Sequence, residues 1–525
     1  MTPSFDLATR GFCRVRWRPG RAPQVGADDP VSLRGLLVHA ADIADVQVPH
    51  PPALAGLLRV LYVLAARITG LDRIGDAGQW EDRREELLDS GDGFEAAAVE
   101  DYFARYPGRF ELFHTATDRP FLQDKRLLEE CRNTKGQASS SGVNKLVLGR
   151  AAGQSLVWLS HTNDAQPVAL PAEEAVFSLL TWLYYGAPGR CTPRQVGKVN
   201  EASTKAGPLR GTVSYHPLGE SLFETLLLGM PYRPSDGDDR APWEDELCDP
   251  LGPPPEATGI ARVLTGRFQH ALLLSPSQDG AFVEDARITW AWRHPHGPVK
   301  DPFLIYRTAK DSGLPFPESA EATRAVWRDL DGLLAEDTTR ERPDAFRQLD
   351  VIMLDRRRPV RLTALGFEQD RSQAKDRQFY AATTPALQKQ WRAAYSGGEL
   401  WHRLRRALTA AETSGKQLQV ALSSVWRELS KTARAARVRD EGVPWLHTGM
   451  TGYWSAAEAQ FWHIVQAETP PAGSLSNRFI RCALDAYDKV TRNLNRTGPA
   501  VKVVEKHRRG LWRGWEKQTE GDHGA

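Results

Sequence analysis

Two histidines bracket a proline at His294-Pro295-His296. Positions two apart share one face of a strand, so the pair would present two imidazoles as a metal site does. A metal-dependent nuclease or hydrolase using His294 and His296 is one reading. No third ligand of suitable type lies nearby in the sequence, and proline sits poorly inside a strand, which favours a simple turn. G-x-x-x-x-G-K-[ST], G-x-S-x-G and H-E-x-x-H are all missing from the sequence. No acidic spacing recommends a carboxylate pair. The residue types therefore make no positive case for catalysis, for a metal or for a cofactor.

Binding chemistry is better represented. Arg361 to Tyr380 reads RLTALGFEQDRSQAKDRQFY. An apolar, strand-like run leads into it, Gly366 can supply a turn with positive φ, and a polar stretch containing Arg371, Ser372 and Gln373 follows. Such an exposed tip carries amide and cationic groups that suit base edges and phosphates. By composition alone an ordinary solvated surface hairpin is the favoured reading, since polar loop tips are common. A second polar stretch holds Lys198, Asn200, Ser203, Thr204, Lys205 and Arg210 among Gly197, Gly207 and Gly211. Read as a loop, it can bring backbone N–H groups and cations against a phosphate backbone, and by composition alone a solvated connector is at least as good a reading. Lys431, Arg434 and Arg437 are spaced by three and share a helix face, with Trp512 and Trp515 later in the same basic region. Cations beside aromatics can track a nucleic-acid strand, although a charge run is more often a solvated face.

The elements that must carry these groups fall into two classes. Up to about residue 383 the chain mixes strand alternation, as in 5–19 and 261–292, with helical runs such as Ala53–Thr69 and Ala172–Tyr185. Ser319 to Leu334 reads as a helix with Ser319 as its cap. From Thr384 onward the pattern is helical, in five segments: 386–411, 416–439, 455–468, 475–494 and 501–517. Gly397-Gly398 interrupts the first. The expected fold is therefore α+β: a large mixed N-terminal domain over 1–383 and an antiparallel helical bundle over 384–525.

The totals agree. A chain of 525 residues with 26% charged residues has the composition of a globular protein of several domains. Residues 386–525 hold 22 Lys and Arg against 13 Asp and Glu, a balance of +9 that leaves −7 for the rest of the +2 total. A basic C-terminal part suggests an anionic partner. The five cysteines are far apart, with no CxxC, which fits a reducing cytoplasm. The N-terminus lacks a secretory pattern, and Arg59 and Arg67 break the most apolar stretch, which reads as a buried helix and not a membrane span.

Several stretches together resemble one family, the large subunit CasA of the type I-E CRISPR complex Cascade. They are FELFHTATDRPFLQ at 110–123, LCDPLG at 247–252, WRHPHGP at 292–298 and the Ser372-Gln373-Ala374 tip, followed by the helical region. The resemblance spans nearly the whole chain. It implies a protein without catalysis, seated where the complex holds the 5′ handle of the guide crRNA. Its implied partners are the crRNA, target double-stranded DNA, the backbone and small subunits of Cascade, and a helicase–nuclease effector, with no membrane. The family recognises the protospacer-adjacent motif (PAM) through the minor groove and wedges the strands apart.

By position, Gln373 matches the family's wedge glutamine, with Ser372 and Arg371 beside it. The family's glycine-rich PAM loop falls at about 199–204, where VNEAST replaces the glycines. Asn200 or Ser203, with Thr204 and Lys205 beside them, would read the groove instead. Arg287 stands in for a PAM-contacting lysine. The loop that touches the RNA handle corresponds to roughly 155–162, with Trp158 and His161. Lys431, Arg434 and Arg437 would take the displaced strand. Pro253-Pro254-Pro255 replaces a cysteine cluster found in some relatives, so no zinc is expected. A purely architectural RNA-binding subunit is the other alternative; the polar tips at 199–205 and 370–377 argue against it.

Overall fold

Pro51-Pro52 can start a helix because neither N–H is needed in a first turn. His50 Nδ1 accepts from the Ala53 N–H at 3.3 Å, and the helix runs Pro51–Thr69 before Gly70, at φ 74°, ends it. In this computed structural model, which describes residues 2–133, 135–153, 162–234, 237–335, 339–355, 359–370, 375–430, 443–469, 472–494 and 498–521, that helix is the spine of the first compact unit. It is long and apolar enough to cross a membrane, yet 78% of its most apolar window is buried against the protein. Even Arg59 is fully buried, bonded through Nη2 to both oxygens of Asp301 at 3.1 Å.

The first unit comprises Met1–Ala322 and Glu336–Leu387. Its described strands form small antiparallel sheets between helices. Arg14–Trp17 pairs with Ile43–Gln47. His270–Pro276 and Leu170–Pro171 flank Phe282–Trp290. Val213–Leu218 and Lys375–Thr383 flank Arg361–Asp370. The arrangement is mixed α+β, as the residue pattern indicates. Ser319 does not cap a helix: Pro315–Pro317 is a strand, and helical backbone resumes only at Val326.

The second unit comprises Thr323–Ala335 and Gln388–Ala525. Its described helices are Gln388–Ser396, Glu399–Ser430, Leu446–Gln466, Leu475–Thr491 and Gly498–Gly521, besides Leu330–Leu334. The short segment from before the tip hairpin is stitched into this bundle. Trp327 stacks on Phe461 with centroids 4.7 Å apart. Arg328 lies 3.6 Å from the centre of a Trp454 ring and pairs with Glu412 at 2.7 Å.

The break at Gly397-Gly398 is present, with Gly397 at φ 66°. No break separates 411 from 416; Glu399–Ser430 is one helix of 32 residues. Gly415 sits inside it because a neighbouring helix comes close: a Cβ there would lie 2.8 Å from Trp454 Cζ2 and 3.0 Å from Tyr453 Cε1. Gly452, on the exposed side of Leu446–Gln466, has open space around its Cβ position. The same substitution should therefore have opposite signs at the two sites. Gly452→Ala is expected to stabilise by about 0.5–1 kcal/mol, the ordinary helix-interior gain. Gly415→Ala is expected to destabilise by about 1–3 kcal/mol through overpacking. Urea unfolding midpoints of the two variants check this; equal signs would contradict the packing described.

Candidate nucleic-acid interface

The stretch read as a loop over 199–204 is a strand. Gly189–Val196 and Val199–Thr204 pair as a hairpin, with Val196 opposite Val199. A two-residue turn of Gly197 and Lys198 joins them, and Gly197 takes φ 57°, as the twist of a tight hairpin requires. Polar composition hid the strand, because its outer positions face solvent. Gln195 is opposite Asn200 and Arg190 opposite Ser203, and all four are exposed. Lys198 and Lys205 are also exposed. Arg190 and Gln195 belong to this surface, although sequence reasoning passed over them; the pairing of the two strands is the signal that finds them.

The base of this hairpin is held by a buried arginine. Arg194 has no exposed surface. Its Nε donates to Glu130 at 2.7 Å, Nη1 to the Trp290 carbonyl at 3.0 Å and Nη2 to Asp124 at 2.8 Å. Its guanidinium lies 5.0 Å from the centre of a Trp290 ring. Burial works against the Asp124 carboxylate, but the hydrogen bond from Arg126 and the charge of Arg194 outweigh it and hold its pKa below the ordinary value. Trp290 returns a bond, Nε1 to the Glu201 carbonyl at 3.1 Å, and Thr289 donates to the Thr192 carbonyl at 2.7 Å. Both strands of the hairpin are thus fastened to Phe282–Trp290, while the outer side chains stay free.

Thr204 is half-buried and its hydroxyl bonds the Gln269 carbonyl at 3.0 Å, so it serves the anchor. Arg210 is buried, not a loop cation: Nη1 donates to the Tyr185 carbonyl at 2.7 Å, and the guanidinium sits 5.6 Å from the centre of the Phe367 ring. Arg287 is half-buried on Phe282–Trp290, with Nη1 3.3 Å from Ser275 Oγ.

The second polar element is the hairpin of Arg361–Asp370 and Lys375–Thr383. Arg361–Asp370 is the central strand of its sheet, buried from Leu362 to Phe367. Gly366 lies in mid-strand and makes no turn. It is needed for close approach, since a Cβ would come within 2.9 Å of the Thr212 carbonyl oxygen. The register shifts between Glu368 and Gln369, as at a bulge. Asp370 pairs with Lys375 immediately before the tip. Arg371, Ser372 and Gln373 at the tip lie outside the described residues, as do Trp158, His161, Lys431, Arg434 and Arg437.

His294 is exposed and His296 half-buried, its Nε2 3.4 Å from the Phe268 carbonyl oxygen. Among the described residues no three His, Cys, Asp or Glu side chains come together as a metal site would need.

A family model described as CRISPR-associated protein Cse1 matches residues 14–497. The chain belongs to the Cse1 family. Its fold is similar to a chain of a "CRISPR RNA-guided surveillance complex", with 42% identity, a TM-score of 0.84, and coverage of 97% of this chain and all of that one. A pre-nicking surveillance complex contains a chain 41% identical, with a TM-score of 0.75, covering 98% of this chain and 99% of that one. Thermus thermophilus CasA (Cse1) shares the fold at 20% identity and a TM-score of 0.74, over 98% of this chain and all of that one. Among curated proteins none matches the sequence.

The Cse1-like motifs meet in space, and their work is structural. Gln123 Nε2 donates to the Leu112 carbonyl at 2.8 Å, and its Oε1 accepts from the Leu274 N–H at 2.8 Å. These bonds brace Leu122, which holds a left-handed φ of 56°, a conformation that costs an ordinary side chain about 1 kcal/mol. Arg119 pairs with Glu246 at 2.7 Å, and Arg126 Nη1 donates to the Cys248 carbonyl at 3.0 Å. The Arg293 N–H donates to the Pro250 carbonyl at 3.1 Å. Residues 110–127, 247–252 and 292–298 of this Cse1 chain are thus linked in series, through Arg126 to Cys248 and Arg293 to Pro250, and Arg126 also pairs with Asp124, the carboxylate that holds Arg194.

Proposed function

We propose that this chain is the non-catalytic large subunit of a type I-E CRISPR RNA-guided surveillance complex, Cascade. In this reading it recognises the PAM in double-stranded DNA through the minor groove. It then parts the strands to start the R-loop and helps recruit the helicase–nuclease. Membership of the Cse1 family and 42% identity to a chain of a surveillance complex support the assembly. The observation that carries PAM reading is the hairpin over 189–204: a rigidly anchored base with Asn200, Ser203 and Lys205 free at the surface. An amide and a hydroxyl suit the minor-groove acceptors, and a lysine suits a phosphate. Arg371, Ser372 and Gln373 supply the wedge, Arg287 is a further DNA contact, Trp158 and His161 meet the RNA handle, and Lys431, Arg434 and Arg437 take the displaced strand.

Two kinds of variant separate these roles. Asn200→Ala with Ser203→Ala should narrow the preference between good and poor flanking sequences by about tenfold, the scale of one lost base contact. Lys205→Ala should weaken binding to every flank alike and reduce the salt slope by about one. Binding of guide-loaded complex to matched duplexes over a salt series reads both. An unchanged flank preference in the double variant would remove the hairpin from the account.

A further inference from the structure

The first unit holds a recess of about 330 Å³, lined by Val263, Leu264, Phe268, Val299, Leu304 and Tyr306 with proline walls at 208, 298, 315 and 317. Its volume reaches the range of ligand pockets, about 300–1,000 Å³. The polar groups at its floor are already satisfied. Tyr184 donates to the Leu264 carbonyl at 2.9 Å, and Asp301 is spent on Arg59. Lys300 pairs with Glu341, Nζ to Oε1 at 2.7 Å.

One cation at the recess is not satisfied. Arg267 lines it, and the guanidinium has no hydrogen-bond or ion-pair partner among the described residues. Its Nε is shielded from solvent and unpaired. Leaving a shielded donor of a charged group without an acceptor is unfavourable, so a guest that accepts from it is favoured. Lys205, exposed just past the hairpin, is a second cation, and it shares with Arg267 an electrostatic influence on His296. Both lie near enough to His296 to depress its pKa, on top of the larger effect of burial. The imidazole is therefore neutral at physiological pH and can donate or accept.

We infer that this recess is a binding pocket for a nucleoside phosphate unit, with the base and sugar among Phe268, Tyr306 and the prolines and the phosphate on Arg267 and Lys205. A planar guanidinium matches phosphate oxygens in a way an ammonium does not, and the apolar walls provide the flat surfaces a base stacks on. The inference rests on the recess and its unpaired arginine and stands apart from PAM reading. The unit comes either as a free nucleotide or as one unstacked residue of a bound strand.

Titration of the full chain with dAMP, deoxyadenosine, inorganic phosphate, N-acetylphenylalanine and the trinucleotide d(AAA) tests it, by calorimetry or ligand-observed NMR. The dAMP should bind at least about tenfold more tightly than deoxyadenosine or phosphate alone. Arg267→Gln should lose about tenfold for dAMP while leaving the weak deoxyadenosine affinity unchanged. Val299→Trp, which fills the recess from its half-buried rim, should lose both. Tighter binding of d(AAA) assigns the pocket to a strand; equal or weaker binding assigns it to a free nucleotide. Absence of saturable dAMP binding, an unchanged affinity in Arg267→Gln, or equal affinity for phosphate alone overturns the inference. Stronger binding of N-acetylphenylalanine also overturns it and assigns the recess to a peptide carboxylate.

Discussion

Replacing Arg194 with alanine is expected to destabilise the first unit by about 3–5 kcal/mol, the cost of removing one partner from a buried ionic cluster. The side chain is wholly buried and satisfies Asp124, Glu130 and the Trp290 carbonyl together. Without it, Glu130 loses the cation it faces and Asp124 keeps only Arg126. Arg194→Lys should recover only part of the loss, since an ammonium cannot reproduce bonds from Nε, Nη1 and Nη2 in three directions. Urea unfolding, followed on the transition of the first unit, measures the loss. Hydrogen exchange at Asn200–Ser203 should rise more than exchange in Pro51–Thr69, because the arginine pins the hairpin base. A loss under about 1 kcal/mol would mean the cluster is not what holds the hairpin.

Gln373→Ala is expected to lower R-loop formation on linear duplex by about tenfold to a hundredfold. That corresponds to ~1–3 kcal/mol of the unstacking cost that a wedge between base steps offsets. On a duplex already opened at the first base pairs the same variant should stay within about twofold of the parent, because nothing remains to be parted. The hairpin that carries Gln373 has a rigid footing for such work. Its first strand is central in the sheet, and the paired register runs from Thr363–Thr383 up to Asp370–Lys375. His50 stacks on Phe379 at 5.0 Å on the return strand. Equal losses on both substrates would show that Gln373 contributes general affinity and not strand separation.

The sequence was most legible where pattern and local chemistry agree. The Pro51-Pro52 start announced the spine helix, Gly397-Gly398 the break before the long bundle helix, and the apolar run before Glu368 the tip hairpin. Legibility failed where a distant partner decides. The strands over 189–204 were obscured by Pro193 and by a register shift between Arg190 and Arg194, which spoils the period of two. Gly366 looked like a turn signal, but it is a site of close approach, as Gly415 is, that only the opposing segment explains. The helix expected from Ser319 and the separate helices expected on either side of 412–415 failed for related reasons. Trp327 is placed by stacking on Phe461, more than a hundred residues away, and not by any local helical pattern. Of the groups assigned to the interface, the exposure of Asn200, Ser203 and Lys205 agrees with their polar character, whereas the burial of Arg210 and the anchoring role of Thr204 required the packed structure.

The most direct test of PAM reading is binding of guide-loaded complex to one matched duplex, with and without this chain, across a library of flanking trinucleotides. The account predicts that affinity depends on the flank only when the chain is present, and that the dependence fades in Asn200→Ala with Ser203→Ala. If the chain raises affinity equally for every flank, it is a non-specific clamp, and the roles given to the 189–204 hairpin and to Gln373 are contradicted.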